Sequence, residues 1–518
     1  MKRFRYFVFY FGIPALFVLV LLNALAYKQH IVTVVKSKDA EISQNFAQLH
    51  RLSTTVITKT NETQKRCSSE KSSNSYSNGE LMNISDQEKL VSEAKKNISD
   101  EYNNSKKYER TASDSTLTPK DSLEYCMRFL SNPVNGLQSD ILGEKSYQPV
   151  PDHTSDENIL ALLEDGCETF GKRFFFMTSE ENFQYVTKEE RNYPIAYSIV
   201  THRQLNQLSM LLGAIYRSQN LYCIHVDAKS NQTLRNGVKL ISQCFPNIFL
   251  SSKTERVIYA SFSRLQADVN CMRDLLAVPK SMYNWNHCIN LCGQDFPVST
   301  NYEIVQQLKA LKGKNTVAGT RELNDIARLR TNFVYRVINV TNERNETIEV
   351  DSKTFEKHRP PPYNMTVIKN LAYNTLTREF LQWALVDSKE GADLLNWSSV
   401  THTPDEHFWG MLNAYPGAPG GSSYVSWWQV ARAVMWKNNK ANDICHGYWV
   451  RGVCVLGAGD LPWIMKVPQM FVNKFDVTYD VTPVTCIRTF LKQKTIEYNS
   501  TLNNNKKPLQ LPWQMLDG

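Results

Sequence analysis

The 518-residue sequence contains no D-x-D tripeptide, no G-x-G-x-x-G turn, no Walker-type phosphate loop and no C-x-x-C pair. The missing glycine loops exclude the usual backbone cradle for a dinucleotide or ATP. Without D-x-D there is no aspartate pair to hold a divalent cation on a diphosphate, so basic side chains would have to neutralise such a group. Cys288 and Cys292 are four apart, but no second pair at zinc-finger spacing follows. The net charge of +8 is modest and comes with no dense Lys/Arg stripe interleaved with aromatics. That pattern excludes a nucleic-acid partner and leaves an anionic small molecule open. No internal repeat is apparent.

What is present begins with a leader. Lys2, Arg3 and Arg5 precede an uncharged run from Tyr6 to Tyr27, long enough to cross a hydrocarbon layer of about 30 Å with the N-terminus on the cytoplasmic side. Ala24-Leu25-Ala26 resembles a cleavage site, yet the run exceeds the usual signal-peptide core, so an uncleaved anchor over 6–27 behind a 1–5 tail is expected. Ten N-x-[ST] acceptors, at Asn61, Asn83, Asn97, Asn103, Asn231, Asn339, Asn345, Asn364, Asn396 and Asn499, agree with passage through the secretory route. Eleven cysteines fit an oxidising compartment. Residues 28–120 are rich in Ser, Asn, Lys and Glu and almost free of aromatics, too polar to offset the entropy of ordering, and read as a glycosylated stem. Its one cysteine, Cys67, is either an intermolecular bridge or an unpaired thiol.

From Pro194 the pattern alternates strand and helix. "PIAYSIVTH" reads as a buried strand, "RQLNQLSMLLGAIYRS" places Leu205, Leu208, Leu212 and Ile215 on one helical face, and "LYCIHVDAKS" is a second apolar strand ending at Asp227. "NIFLSS", "SFSRLQADVNCMRDLLAV" and "HCINLCGQDFPVST" continue the alternation. Repeated β-α-β order predicts an α/β domain over 121–518 with a mainly parallel sheet and a ligand crevice beyond its carboxyl ends, where Thr201, His202 and Asp227 fall.

Farther on, "HTPDEHFW" sets two carboxylates and two histidines within eight residues, His402 to Trp409. Thr403, Pro404 and Glu406 satisfy a capping-box pattern, so a helix starting there is expected. His402 stands one residue too early for an H-x-x-E-H metal site, and no metal is expected.

The ordered segments "YSIVTHRQLNQLSMLLGAIYRSQNLYCIHVDAKS", "RVIYASFSRLQADVNCMRDLL", "INLCGQDFPVST", "TPDEHFWGML", "GVCVLGAGDLPW" and "FVNKFD" resemble the core 2 and I-branching β-1,6-N-acetylglucosaminyltransferases over roughly residues 126–486. Protein xylosyltransferases are wider relatives. The resemblance implies a GT-A-type fold, an inverting mechanism, a UDP-sugar donor, an O-glycan acceptor and independence from metal, in a single-pass type II Golgi membrane protein. It places uridine contacts on Val200, His202, Asp227 and Tyr259, the general base on Glu406, and the diphosphate-binding cations on Arg451 and Lys474.

Acceptor contacts fall on Glu322 and Trp436. Arg328, Arg330 and Arg336 find no assigned role, and Asn438 stands where the family has a tyrosine. Implied disulfides are Cys126 with Cys486, Cys167 with Cys244, Cys223 with Cys271 and Cys445 with Cys454, leaving Cys292 free and Cys288 and Cys67 as extras. Core 2 branching of mucin-type O-glycans with UDP-GlcNAc is the expected activity. Use of UDP-glucose or UDP-xylose, or an inactive glycan-binding member, are the alternatives.

Overall fold

The computed structural model describes residues 149–322, 325–422, 431–437 and 445–503. The 1–5 tail, the 6–27 anchor, the 28–120 stem, Cys67, Cys126, Asn438 and the acceptors Asn61, Asn83, Asn97 and Asn103 lie outside these residues. No helix among the described residues is long and apolar enough to cross a membrane.

Two short helices come first, α1 (Asp156–Asp165) and α2 (Cys167–Phe174). Strand β1 (Ile195–Thr201) follows, with every residue buried, as a strand covered on both faces requires. Its side chains alternate: Ile195, Tyr197 and Ile199 enter one core cluster and Ala196 the other. Helix α3 (Leu205–Ile215) is buried almost all round, because α1 and α2 pack on it together with two later elements, the Asp295–Pro297 strand and the Thr482–Asn503 helix. Gly213 permits that approach, since a Cβ there would stand 1.9 Å from the Phe174 carbonyl oxygen. The buried Gln207 is satisfied at long range: its amide donates to the Phe475 carbonyl at 3.0 Å and its oxygen accepts from the Val477 amide at 3.1 Å.

Strand β2 (Leu221–Val226), helix α4 (Gln232–Cys244), strand β3 (Ile248–Leu250), helix α5 (Phe262–Ala277), strand β4 (His287–Cys292) and strand β5 (Asp295–Pro297) follow the expected alternation. Beyond them come β6 (Thr316–Thr320), helix α6 (Asp325–Asn332), a two-stranded ribbon of β7 (Phe333–Thr341) and β8 (Thr347–Lys357), then β9 (Lys369–Thr377) and helix α7 (Phe408–Asn413). The main sheet has the order β3-β2-β1-β4-β9-β6. Its β3-β2, β2-β1 and β1-β4 ladders are parallel, whereas β9 runs against both β4 and β6. The sheet is therefore mixed, with its parallel part where the sequence pattern placed it.

Near the C-terminus, β10 (Arg432–Val434) and β13 (Phe471–Asn473) form a second sheet with β5, and β11 (Tyr448–Val450) pairs with β12 (Val453–Val455) as a hairpin. Helix α8 (Thr482–Asn503) closes the described chain. Disulfides join Cys167 to Cys244, Cys223 to Cys271 and Cys445 to Cys454. Cys486 is also disulfide-bonded, and its expected partner Cys126 lies outside the described residues. Cys288 and Cys292 are free. Asn231, Asn339, Asn345, Asn364 and Asn396 are all exposed, and the Asn499 side chain falls outside the described set.

The expected capping box at Thr403 does not form. Thr403 adopts a left-handed backbone with φ 47° and ψ 56°, its side chain caps nothing, and Pro404–Glu406 is a single 3₁₀ turn. The helix starts later, at Phe408. The physical reason is that the Thr403 amide is drawn to the Ala260 carbonyl, 2.6 Å away, which turns the hydroxyl from the helix axis.

Candidate active site

The carboxyl ends of β1 and β2 set the floor of the crevice. Val200 is buried in β1, paired with His225 on one side and Cys292 on the other. Asp227, buried just past β2, accepts from the Lys229 amide at 2.8 Å and the Val257 amide at 3.3 Å, with the Lys229 ammonium 3.9 Å away. The Glu255 amide donates to His225 Nε2 at 2.8 Å. These bonds fasten residues 255–257 to the strand end and so aim Tyr259, which is 65% exposed, over the crevice.

Arg451 meets that ring from the other side of the molecule. It occupies the two-residue turn of the β11–β12 hairpin with Gly452, both at positive φ (49° and 77°). Such a turn favours Asn-Gly or Gly-Gly, so an arginine there holds a left-handed backbone at a cost of about 1 kcal/mol. The guanidinium carbon lies 3.8 Å from the Tyr259 ring centroid, a cation–π contact. Lys474, directly after β13, has its carbonyl bonded to the Leu456 amide at 2.9 Å, which ties it to the same hairpin. His202 has its pKa lowered by desolvation first, then by Arg203, Lys229 and Lys474, against the raising effect of Asp227. Of the residues expected to hold the donor, His202 thus lies within electrostatic reach of Asp227 and Lys474, and Tyr259 touches Arg451. A surface with this excess of cations suits an anion.

The Thr403–Ala260 bond joins this cluster to the Pro404–Glu406 turn. Glu406 is partly exposed and forms an ion pair with Arg330 of α6, a residue to which the sequence assigned no role. His402 donates its amide to the Arg330 carbonyl at 3.0 Å, and its ring meets Asp351 of β8 at 2.6 Å and stacks on Tyr335. The ribbon is thereby clasped to the turn. His407 points inward: it is buried, bonded to Thr401 Oγ1 at 3.0 Å and set edge-on to Trp397, and burial pulls its pKa down to about 3. Asp405 is also buried, and desolvation raises its pKa to about 6 despite Arg264 nearby.

Of the two residues expected to meet the acceptor, Glu322 is exposed just after β6, with its amide bonded to Thr320 Oγ1 at 3.0 Å. Trp436 is 42% exposed and bridges to Val453, beside the hairpin that carries Arg451. Arg336 is spent on Glu356 across the ribbon, 3.0 Å away. The one group of potential metal ligands among the described residues is Cys445, Cys454 and Asp460, whose two sulfurs are already bonded to each other.

Arg330 escaped sequence reasoning because three arginines in "ARLRTNFVYR" have the same composition signal, and only the fold shows which one reaches residue 406.

Comparison with known proteins identifies the family. Residues 195–465 match the family described as Core-2/I-Branching enzyme. An N-acetyllactosaminide β-1,6-N-acetylglucosaminyl-transferase of Homo sapiens is 40% identical over 349 residues, covering 67% of this chain and 83% of that protein. Its Mus musculus counterpart is 39% identical over 390 residues, covering 72% and 92%. A β-1,3-galactosyl-O-glycosyl-glycoprotein β-1,6-N-acetylglucosaminyltransferase of Homo sapiens is 36% identical over 388 residues, covering 72% and 86%. The family match over these residues, together with identities of 36–40% across most of each relative, shows that the chain belongs to the Core-2/I-branching family of glycosyltransferases.

Proposed function

We propose that the chain transfers N-acetylglucosamine from UDP-GlcNAc to a glycan hydroxyl in β-1,6 linkage, with inversion and without a metal ion, on a GT-A-type scaffold. The observation that carries this reading is the partly exposed carboxylate of Glu406, poised by Arg330 and joined through Thr403 and Ala260 to Tyr259 and its stacked Arg451. Glu406 takes the proton of the acceptor hydroxyl as its oxygen forms a bond to the anomeric carbon. The bond from that carbon to the β-phosphate oxygen breaks on the opposite face. Negative charge gathers on the departing UDP, where Arg451 and Lys474 stabilise it more strongly in the transition state than in the bound donor. Tyr259, Val200, His202 and Asp227 hold the uridine. Glu322 and Trp436 are proposed to face the acceptor, with Trp436 offering a ring on which a sugar stacks.

Two acceptor classes are in play. Mucin-type O-glycans with a Galβ1-3GalNAc core are the reading drawn from the motifs. N-acetyllactosamine chains are favoured by the two most similar relatives named above, both N-acetyllactosaminide transferases. The protein is proposed to sit in the Golgi membrane by its 6–27 segment, with the enzyme domain luminal and Cys67 available for a disulfide-linked homodimer.

The deciding experiment offers a panel of UDP-sugars to the purified protein with each acceptor, in excess EDTA and in manganese. Transfer from UDP-GlcNAc at equal rates in both buffers is expected. Activity that requires manganese would refute the metal-free mechanism, and transfer only from UDP-glucose or UDP-xylose would refute the donor.

A further inference from the structure

Asp405 has no part in the chemistry described so far. It is 8% exposed, next to the general base, yet its carboxylate receives no hydrogen bond from any described residue other than its own backbone amide. Arg264 of α5 is its nearest cation in electrostatic effect, but that guanidinium is engaged elsewhere: Nη1 donates to Asp268 Oδ2 at 2.7 Å, and Asp268 is fully buried. Glu406 and Asp268 both repel the Asp405 charge. A buried carboxylate has about four lone-pair positions and is costly to desolvate when they stay empty. A purely structural aspartate would be expected to spend them on the protein.

Direction narrows the ligand. Successive residues of a 3₁₀ turn project about 120° apart, so neighbouring Asp405 and Glu406 diverge. Glu406 turns to Arg330 of α6, whereas Asp405 lies within electrostatic reach of Arg264 on α5, the helix that packs on this turn and begins just after Tyr259 and Ala260. The turn itself is locked there, because the Asp405 carbonyl accepts from Asn370 Nδ2 at 3.2 Å and the Thr403 amide bonds to Ala260. A diphosphate would be repelled by this carboxylate. Neutral hydroxyl donors suit it.

We infer that Asp405 reads the donor sugar, its carboxylate accepting hydrogen bonds from ring hydroxyls of the pyranose carried by UDP. This rests on the donor proposed above. The residue would then reject sugars that lack those hydroxyls or present them on the wrong face, since a site built to bond a hydroxyl is left with a buried unpaired group when the hydroxyl is missing.

The test is a cycle between protein and substrate. Wild type, Asp405→Ala and Asp405→Asn, each as the full chain, are assayed for kcat/KM with UDP-GlcNAc and with its 3-deoxy and 4-deoxy analogues, after UDP affinity and Tm confirm an intact fold. Asp405→Asn, similar in size, serves if the alanine variant does not fold. Wild type is expected to lose about 10- to 10²-fold on at least one deoxy donor. The variant should lose a similar factor on UDP-GlcNAc and be nearly indifferent to that deoxygenation. If deoxygenation costs variant and wild type the same factor, or if the variant matches wild type on UDP-GlcNAc, the role of Asp405 is refuted while the proposed donor stands. Wild type that fails to use UDP-GlcNAc at all refutes the donor, and this inference with it.

Discussion

Arg451 stacks on Tyr259, its guanidinium carbon 3.8 Å from the ring centroid, although one residue lies in a C-terminal hairpin turn and the other in the loop leading into α5. The contact pins the arginine on the flat side of an exposed ring. It also explains why a left-handed backbone is tolerated at a non-glycine residue.

That strain separates stability from activity. Arg451→Gly removes the left-handed penalty, so the melting temperature should stay level or rise slightly. Transfer should fall by about 10²- to 10³-fold, as when one stabilising donor is lost from a developing anion. Lys474→Ala should slow transfer on the same scale. Thermal melts and initial rates on the same preparations check both, and an active Arg451→Gly protein would remove this cation from the mechanism.

Glu406→Gln keeps the shape of the residue but cannot accept a proton. The rate should drop by about 10²- to 10⁴-fold with UDP affinity preserved. Since Glu406 does not cap a helix, helix stability is not at stake, and only a partly exposed ion pair to Arg330 is lost. Stopped assays with isothermal titration of UDP distinguish a chemical defect from a binding defect.

His407 should leave its trace in acid stability rather than in transfer. Its folded pKa is depressed to about 3 by burial, with Arg330, His358 and His402 adding to the effect. Its unfolded pKa is near 6.5. Between these values the unfolded chain holds a proton that the folded one does not, so the stability contribution is complete above about 6.5 and is lost as the pH falls toward 3. By pH 5 the loss amounts to about 2 kcal/mol. Urea titrations should therefore show the gap between wild type and His407→Gln shrinking from pH 7.5 to pH 5, while the variant keeps measurable transfer. A gap independent of pH would contradict the buried neutral ring.

Arg432 and Asp295 form an ion pair at 3.2 Å with both side chains fully buried, the guanidinium also lying over Tyr373 and Phe471. Arg432→Met leaves Asp295 charged in the core and should cost about 3–5 kcal/mol. Equilibrium denaturation measures it. A loss below 1 kcal/mol would mean that water reaches the pair.

Periodicity made the parallel half of the fold legible, because strands buried on both faces read as unbroken apolar runs and α3 and α5 keep a regular apolar stripe. The β9 strand was not legible: "KNLAYNTLT" contains few β-branched residues and runs antiparallel only because its partners β4 and β6 accept it there. For the candidate site, topology alone placed Thr201, His202 and Asp227 at the strand ends, where the structure has them. Arg451, Lys474 and Glu406 needed family resemblance, since a lone cation or carboxylate in a loop has no local signature. At Thr403 the sequence pattern misled. A correct cap motif lost to a backbone bond with Ala260, a tertiary contact that no window of local sequence contains.

Strand β13 fits between β10 and β5, so the residue that follows it, Lys474, reaches the crevice only by pairing with a strand made much earlier. A ribosome delivers β1, β2 and β5 long before it delivers β13. During synthesis the growing chain therefore holds the β1–β2 side of its crevice before Lys474 exists, and one side of β5 waits unpaired. A product that stops short of residue 471 should be inert rather than weakly active, and should present an open strand edge of the kind that recruits chaperones and promotes aggregation. Transfer activity is in this way withheld from the chain until nearly all of it has been made.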